Sequence, residues 1–367
     1  MNDSSGIPTQ SRPHLEVRRV PFVFTGTTRE YFGIWIVNVL LTIMTLGIYS
    51  AWAKVRRQRY FYGNTVLAGA AFEYHARPVQ ILVGRIIVLV LIAAYNLALN
   101  FVPVVGGLIA VAVIFAIPWL VARGLRFSAR VTSYRNVRFD HTGTYWGAFQ
   151  AYILGIALIY GTAGVLAPLA SQWMWNYTLG RLRYGDRPVA CDPRLERLYR
   201  QWWLPVFVFI GGVVALVFAA IAIFSIGMTT DVAIEDRFGE HTVWVMLGLL
   251  YLALIPIIGL YLVVGTLYRA GVRNVAFNET VVDGRHALVS TIHRGRYLWI
   301  SISNLVATLA TLGLARPWAA IRMAAYLASV TPLDTTGSLD AYFATLKAEG
   351  AATGAEFMDI EGFDVGF

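Results

Sequence analysis

The sequence has one cysteine, Cys191, and few features of a catalytic site. A single cysteine excludes an intrachain disulfide and any metal or cluster site built from cysteines. The chain also lacks a recognisable nucleophile–base pair, a pair of catalytic carboxylates and a metal-ligand spacing. We therefore expect a protein that is not an enzyme and that binds no metal or cofactor.

Charge is also scarce, since charged residues make up 14% of the 367 residues and hydrophobic residues 57%. A soluble domain of this size cannot bury so much apolar surface. Four segments that contain no acidic residue are long enough to cross a bilayer, and lipid leaves the backbone no alternative to a helix there. The predicted spans are 81–99, 101–121, 204–226 and 243–267.

The chain is internally duplicated, because residues 31–47 align without gaps with residues 297–313. Shared apolar composition does not explain three of the matched pairs, Asn38/Asn304, Gly47/Gly313 and Arg56/Arg322. A weaker third copy starts at Tyr145. These copies, called A, alternate with pairs of spans, called B, in the order A-B-A-B-A.

This order predicts a polar N-terminal tail at 1–20, one membrane domain at 21–345 and an acidic C-terminal tail at 332–367. The tail holds seven acidic residues and one basic residue, which is typical of a solvated segment. Within the domain, the predicted repeat units are 21–75, 76–136, 137–190, 191–284 and 285–331.

The expected fold class is an all-α polytopic membrane protein with four full spans and three broken or re-entrant helical units. Basic residues flank every A unit, and basic loops stay on the cytoplasmic side, so an A unit must enter the membrane and return. Loops 100–104 and 227–242 are expected to face outward, and the C-terminus is expected to be cytoplasmic. Short β-prone stretches ending in glycine predict a few strands at the cytoplasmic surface. Seven simple spans are the alternative.

The run from Phe24 to Tyr60 resembles the signature of the YjgN family of bacterial inner-membrane proteins, a domain of unknown function. It contains Glu30-Tyr31-Phe32, Asn38, Thr45-Leu46-Gly47-Ile48-Tyr49, Trp52-Ala53-Lys54, Arg56 and Arg59-Tyr60. The resemblance covers residues 20–345 and implies a multi-pass inner-membrane location, not an activity. The second A unit departs from the pattern, because Leu166-Ala-Pro168 stands at the tryptophan site and an insertion precedes Arg183.

The candidate site is a polar stripe on two equivalent apolar helices, formed by Asn38 and Thr42 in one copy and by Asn304 and Thr308 in the other. Such a stripe can line a polar site between repeats, or its side chains can bond helices together. Arg85, Arg56 and Arg322 are the predicted anion or lipid contacts, although Arg85 could also snorkel to the headgroups. Gly47 and Gly313 are the predicted turns of the A units. His75, His141 and His293 occupy similar places, but no cysteine or carboxylate cluster supports a metal site.

Repeats, broken helices and a polar stripe favour a transporter-like or channel-like protein with a polar site between the repeats. The alternative is a non-catalytic lipid-binding or membrane-organising protein, which the basic amphipathic helices favour. The expected partners are membrane lipids with anionic headgroups and a small anionic solute. Nucleic acid is not expected, because no recognition motif accompanies the net charge of +9. Oligomeric state and substrate are not predicted.

Overall fold

A computed structural model describes residues 17–229, 242–337, 339 and 342–345, and its ten antiparallel strands form one closed barrel. Each strand pairs with a neighbour on either side, and β1 closes the barrel by pairing with both β2 and β10. The strands β1 to β10 are Val17–Phe24, Thr65–Leu67, Ala70–Tyr74, Thr132–Tyr134, Val137–His141, Leu182–Tyr184, Arg187–Cys191, Thr280–Val282, His286–Leu288 and Pro332–Thr336.

The all-α fold class predicted from the sequence is therefore wrong. Helices dominate the described chain, but its strands form a closed barrel and not a few surface strands. Five of the strands, β2, β4, β6, β8 and β9, are only three residues long. Three residues are too few to show the alternation by which a strand is recognised in sequence.

The helices α1 to α11 are Thr28–Met44, Ser50–Gly63, Pro78–Phe101, Pro103–Arg130, Tyr145–Ala148, Gly155–Gly161, Ala167–Thr178, Leu195–Thr229, Thr242–Asn278, Arg294–Ala310 and Arg316–Ser329. A π-helical segment, Phe149–Leu154, joins α5 to α6. The chain thus consists of five units of the form strand, helix pair, strand. Units 1 to 5 run from β1 to β2, β3 to β4, β5 to β6, β7 to β8 and β9 to β10.

All the helix pairs leave the barrel from the same end. Within a unit the two strands are joined through helices, whereas consecutive units are joined by tight turns. In one such turn Arg135 and Asn136 both have positive φ, 47° and 67°, as the common hairpin turn between twisted strands requires. Because antiparallel strands alternate in direction, the helices lie at one end, the helix end, and the tight turns at the other, the turn end.

The barrel core contains at least one inward side chain from each strand, and one residue from each strand belongs to a set of ten that pair directly. Alternation along a strand puts every second residue on the inner face. These ten residues, the inner ring, are directly paired across the sheet as Phe22–Leu67, Phe72–Tyr134, Phe139–Tyr184, Val189–Val282 and Leu288–Leu333.

Outside the barrel the helix pairs follow the order of the strands. Helix α2 packs on α3, α4 on unit 3, α7 on α8, α9 on α10, and α11 on α1. Four helical stretches are long and apolar enough to cross a membrane, in agreement with the four predicted spans: Pro78–Phe101, Pro103–Arg130, Leu195–Ala222 and Leu254–Asn278. Their apolar side chains are largely exposed, as contact with lipid requires.

The structure differs from one predicted boundary, and it describes only one of the two predicted outward loops in full. Residues 332–336, expected to open the acidic tail, form β10, where the Asp334 carboxylate lies 2.7 Å from Nε of Arg19. The predicted outward loop 227–242 lies largely outside the described residues, which omit 230–241. The other predicted outward loop, 100–104, is a tight connection at Val102 between α3 and α4.

Candidate functional site

Asn38 and Arg56, predicted as site residues, meet inside the helix pair of unit 1. Asn38 is 7% exposed on α1, and its Oδ1 accepts a hydrogen bond from Nη1 of Arg56 on α2 at 3.3 Å. The same Nη1 lies 3.2 Å from the hydroxyl of Tyr49. The pair therefore ties α1 to α2 within the unit.

The same arrangement recurs in unit 5. Nη1 of Arg322 donates to Oδ1 of Asn304 at 3.1 Å and to Oγ of Ser303 at 2.7 Å. Nδ2 of Asn304 donates to the carbonyl of Ala319 at 3.0 Å. The guanidinium also lies over the ring of Trp318, 5.0 Å from its centroid. Each asparagine thus bonds to the arginine of its own helix pair, and the hydrogen bonds described do not join the two copies into one site.

The threonines of the predicted stripe bond to their own helices. Thr42 Oγ1 donates to the carbonyl of Asn38 at 2.6 Å, and Thr308 Oγ1 donates to that of Asn304 at 2.6 Å. A hydroxyl bonded in this way has its proton occupied, although its oxygen can still accept a bond.

The predicted turn residues Gly47 and Gly313 lie between the helices of units 1 and 5, with φ of 94° and 95°. Their N–H groups close the first helix by donating to the carbonyls of Thr42 and Thr308. Leu46 and Leu312, just before them, are 95% and 96% exposed. Unit 3 has the same turn at Gly164, which lies within the predicted repeat unit 137–190.

Arg85 joins two units and does not enter either asparagine pair. It lies on α3 of unit 2, and its Nη1 donates to Oγ of Ser50 at the start of α2. A related feature of unit 2 was not predicted: Trp119 and Arg123 on α4 are spaced as Trp318 and Arg322 are, with the Arg123 guanidinium 4.9 Å from the Trp119 centroid. The signal was present in the sequence as a tryptophan four residues before an arginine.

The histidines His75, His141 and His293 each have different hydrogen-bond partners. Nε2 of His75 lies 2.7 Å from Oγ of Ser133, His141 is buried against Tyr177, and Nδ1 of His293 caps α10 by accepting from the N–H of Arg296. Within the described residues, no group of three or more histidine, cysteine or acidic side chains is arranged to hold a metal.

The described chain has an open polar cavity of about 590 Å³ where α8 and α9 leave the barrel. It is lined by arginine and amide side chains, namely Arg197, Arg200, Gln201, Asn274 and Asn278, together with Val275. We call this the arginine pocket. The basic run 181–200 contains part of it, but the amides come from α9, far along the chain.

Hydrogen bonds fix the walls of the arginine pocket. Nη1 of Arg197 lies 2.6 Å from Oε1 of Glu279, so one arginine of the pocket is neutralised. Nδ2 of Asn274 donates to the carbonyl of Ile292 at 2.9 Å, and Nδ2 of Asn278 donates to that of Ser290 at 3.2 Å. Both bonds anchor α9 to unit 5.

Arg197 and Arg200 are both exposed, but only Arg197 has a carboxylate partner, and no carboxylate of the described residues lies within 4.0 Å of the Arg200 side chain. Arg200 immediately precedes Gln201, Trp202 and Trp203, of which Trp203 is 53% exposed. From Leu204 onward the exposed side of α8 is apolar, including Phe207 and Ile210. Tryptophan beside arginine at the end of an apolar helix is typical of the membrane–water interface.

A family model described as "Bacterial protein of unknown function (DUF898)" matches residues 19–360. The chain is similar to a protein named "Inner membrane protein YjgN" in Salmonella typhimurium, with 26% identity over 362 residues, covering 87% of this chain and 89% of the relative. Relatives of the same name in Escherichia coli K12 and O157:H7 are 35% and 33% identical over 153 residues. These two matches cover 40% of the chain and span only 38% of each relative. No solved structure matches the chain.

Proposed function

The chain belongs to the family described as "Bacterial protein of unknown function (DUF898)", and on that premise we propose that it binds anionic lipid headgroups at the arginine pocket. Its membership and its similarity to proteins named "Inner membrane protein YjgN" confirm the resemblance read from its sequence. Its relatives are inner membrane proteins and it carries four candidate spans, so it is an inner-membrane protein. The proposed activity is binding without catalysis.

The exposed guanidinium of Arg200 at the interface carries this proposal. A phosphate group needs a cation and hydrogen-bond donors, and Arg200 with Nε2 of Gln201 and the second N–H of Asn278 Nδ2 offers both. Basic residues at the cytoplasmic end of a spanning helix attract anionic lipid, at about 1 kcal/mol for each residue near the surface. Exposed Trp203, one turn further along α8, supports the placement of Arg200 at the membrane–water interface.

The charge distribution supports an orientation. The strands and tight turns must all lie on one side of the membrane, because both ends of every helix pair meet the same end of the barrel. The basic residues accumulate in these segments, and basic segments stay in the cytoplasm. We therefore place the barrel and the segment after β10 on the cytoplasmic side.

Transport, the function that the sequence favours, has less support from the described contacts than lipid binding has. The spanning pair α3–α4 is separated along the ring of units from the pair α8–α9 by unit 3. The asparagines expected to line a shared polar site bond instead to arginines of their own units. Transport stays a prediction, and lipid binding is the function that the described contacts favour.

Native mass spectrometry of the full chain tests the proposal, with titration by phosphatidylglycerol and, separately, by phosphatidylcholine. We expect selective retention of phosphatidylglycerol and a dissociation constant about fivefold higher for Arg200→Gln, the equivalent of about 1 kcal/mol. Glycerol phosphate added as a competitor shows whether the headgroup alone is recognised.

The matched control is Arg18→Gln, which removes an exposed arginine near the turn end of β1, away from the helices. This variant should bind phosphatidylglycerol as the parent does. Equal retention of the two lipids by the parent, or equal effects of the two substitutions, contradicts a specific site at Arg200.

A further inference from the structure

A second open polar cavity, of about 330 Å³, lies in unit 3 at the helix end of the barrel. Its walls come from the start of α5 and the π-helical segment, from α7, and from the residue that follows β7. The side chains that can bond to a ligand there include Gln150, Gln172, Asn176, Arg181 and Asp192. We call this cavity the mixed-charge pocket, because it contains both a guanidinium and a carboxylate.

Strand register makes the mixed-charge pocket the counterpart, in unit 3, of the arginine pocket in unit 4. In both units the last residue of the first strand pairs with the first residue of the second strand. These pairs are His141 with Leu182 and Cys191 with Thr280. Counting along the chain from these pairs identifies the helix residues that occupy equivalent positions.

The equivalent positions carry different charges. The pairs, with unit 3 first, are Asn176/Asn274, Gly147/Arg197, Gln150/Arg200 and Arg181/Glu279. Unit 4 therefore has two arginines on its first helix and a glutamate before its second strand. Unit 3 has no charge at those helix positions and an arginine before its second strand, and Asp192 adds a carboxylate. A pocket suited to anions in unit 4 thus becomes, in unit 3, a pocket with one cation and one anion.

Both charges of the mixed-charge pocket are available to a ligand. Arg181 and Asp192 are exposed, and neither has an oppositely charged group within 4.0 Å among the described residues. Nδ2 of Asn176 lies 3.5 Å from Oδ1 of Asp192, so this carboxylate has a fixed neighbour and a second oxygen to offer. An anion alone would be repelled by Asp192 and a cation alone by Arg181, which favours a ligand that carries both charges.

The backbone at one wall of the pocket is unusual. Gln150 lies in the π-helical segment Phe149–Leu154, which packs on α7. In their described residues, the helices that open the other four units contain no π-helical turn. Such turns are rare and occur frequently at functional sites. The one in unit 3 borders a polar cavity, which supports a binding role for that cavity.

The position of the pocket points to a lipid headgroup. The helices leave the barrel towards the membrane from this end, so the pocket lies near the level of the headgroups. Trp146, on the first turn of α5, is 71% exposed, and exposed tryptophan is enriched at the membrane–water interface.

We propose that the mixed-charge pocket binds a phosphoethanolamine group, in which a phosphate and a primary ammonium are two carbons apart. Arg181 and the amide of Gln150 donate to the phosphate, and Asp192 accepts from the ammonium. The group can come from a lipid headgroup or from a water-soluble glycerol phosphodiester. This site uses no residue of the arginine pocket, and its occupancy does not depend on the function proposed there.

Native mass spectrometry of the full chain tests the site by separate titration with phosphatidylethanolamine and phosphatidylcholine. We expect phosphatidylethanolamine to bind about fivefold more tightly, because only its ammonium has N–H groups for Asp192. Asp192→Asn keeps an oxygen for the Asn176 bond and should abolish this preference. Arg181→Gln should weaken both lipids about fivefold, because both carry the phosphate.

The matched control is Arg183→Gln, which removes another exposed arginine of unit 3, on β6 and outside the lining of the pocket. Arg200→Gln should also leave phosphatidylethanolamine binding unchanged, so failure of one site is distinguishable from failure of the other. Glycerophosphoethanolamine as a competitor separates the two sources. Binding as tight as that of the lipid supports the water-soluble source, and much weaker binding supports the lipid.

Three results would overturn the proposal. The first is equal affinity of the parent for the two lipids, and the second is an Asp192→Asn variant that keeps the preference. The third is an equal effect of Arg181→Gln and Arg183→Gln. If Asp192→Asn does not fold, the two lipids on the parent and the two arginine variants still decide the matter.

Discussion

At the scale of single residues, the buried asparagines Asn38 and Asn304 form hydrogen bonds within their own helix pairs. A polar residue in an apolar helix is compatible either with a polar site or with bonding between helices. Here Asn38 and Asn304 each accept a hydrogen bond from an arginine on the next helix. In both pairs the asparagine Oδ1 supplies an acceptor for the guanidinium.

We expect Asn304→Leu to destabilise the protein by about 1 to 2 kcal/mol, because it removes two interhelical bonds and leaves Arg322 short of an acceptor. The melting temperature of the purified protein in detergent, followed by tryptophan fluorescence, measures the change. The matched control is Asn96→Leu, since Asn96 is exposed on α3 and bonds only to the carbonyl of Ile92 on its own helix. Equal melting temperatures for the two variants would show that the Asn304–Arg322 pair contributes no stability.

At the scale of elements, the turn inside the helix pair is a repeated device. In units 1, 3 and 5 a glycine with positive φ follows a residue that also has positive φ, and a threonine hydroxyl accepts from the N–H four residues on. In units 1 and 5 the tip presents exposed leucines. Such a tip is costly in water and favourable in lipid.

Backbone conformation, not space, limits substitution at this turn. Nothing lies within 4 Å of a Cβ built on Gly313 or on Gly33, but only Gly313 has positive φ. Gly313→Ala should therefore destabilise by about 1 kcal/mol, whereas Gly33→Ala, inside α1, should stabilise by about 0.5 to 1 kcal/mol. Thermal melts of the two variants in one detergent should shift in opposite directions, and shifts of the same sign would contradict this account of the turn.

At the scale of the whole molecule, the barrel decides which segments share a side of the membrane. Every unit starts and ends in the barrel, so each helix pair enters and leaves through the same end. This holds for the long pairs α3–α4 and α8–α9 and for the shorter pairs alike. One closed sheet thus gathers six segments of the chain, far apart in sequence, on one side.

Labelling with an impermeant maleimide tests this arrangement in a Cys191→Ser background. Cys191 itself is buried, which raises the pKa of its thiol to about 11 and makes it unreactive. We expect Asp186→Cys and Arg285→Cys, in two different tight turns, to react in inverted vesicles and not in intact cells. Leu46→Cys and Leu312→Cys should react in neither until the membrane is dissolved in denaturant.

The two ways in which this can fail have different meanings. Reaction of both turn cysteines in intact cells would reverse the orientation and leave the barrel intact. Reaction of residue 186 from one side and residue 285 from the other would contradict the barrel itself.

Much of the membrane character could be predicted from the sequence alone. The four spans follow from length and apolar composition, which are local properties that lipid selects directly. The duplication follows from Asn38/Asn304, Gly47/Gly313 and Arg56/Arg322, whose placement in the structure shows equivalent surroundings. Only part of the arginine pocket could be predicted from the sequence. Arg197 and Arg200 belong to a basic run, whereas Asn274 and Asn278 reach the pocket only through the packing of α9 on α8.

The barrel was decided only by the tertiary structure. Its three-residue strands carry almost no pattern of their own, and each becomes a strand because two neighbours supply its hydrogen bonds. Closure depends on the pairing of β1 with β10, whose residues are separated by nearly the whole chain. The spans and turns can be predicted from consecutive residues. The lumen of the barrel, with His286 and Tyr342 at its wall, forms through pairing between segments that are distant in sequence, which no local pattern predicts.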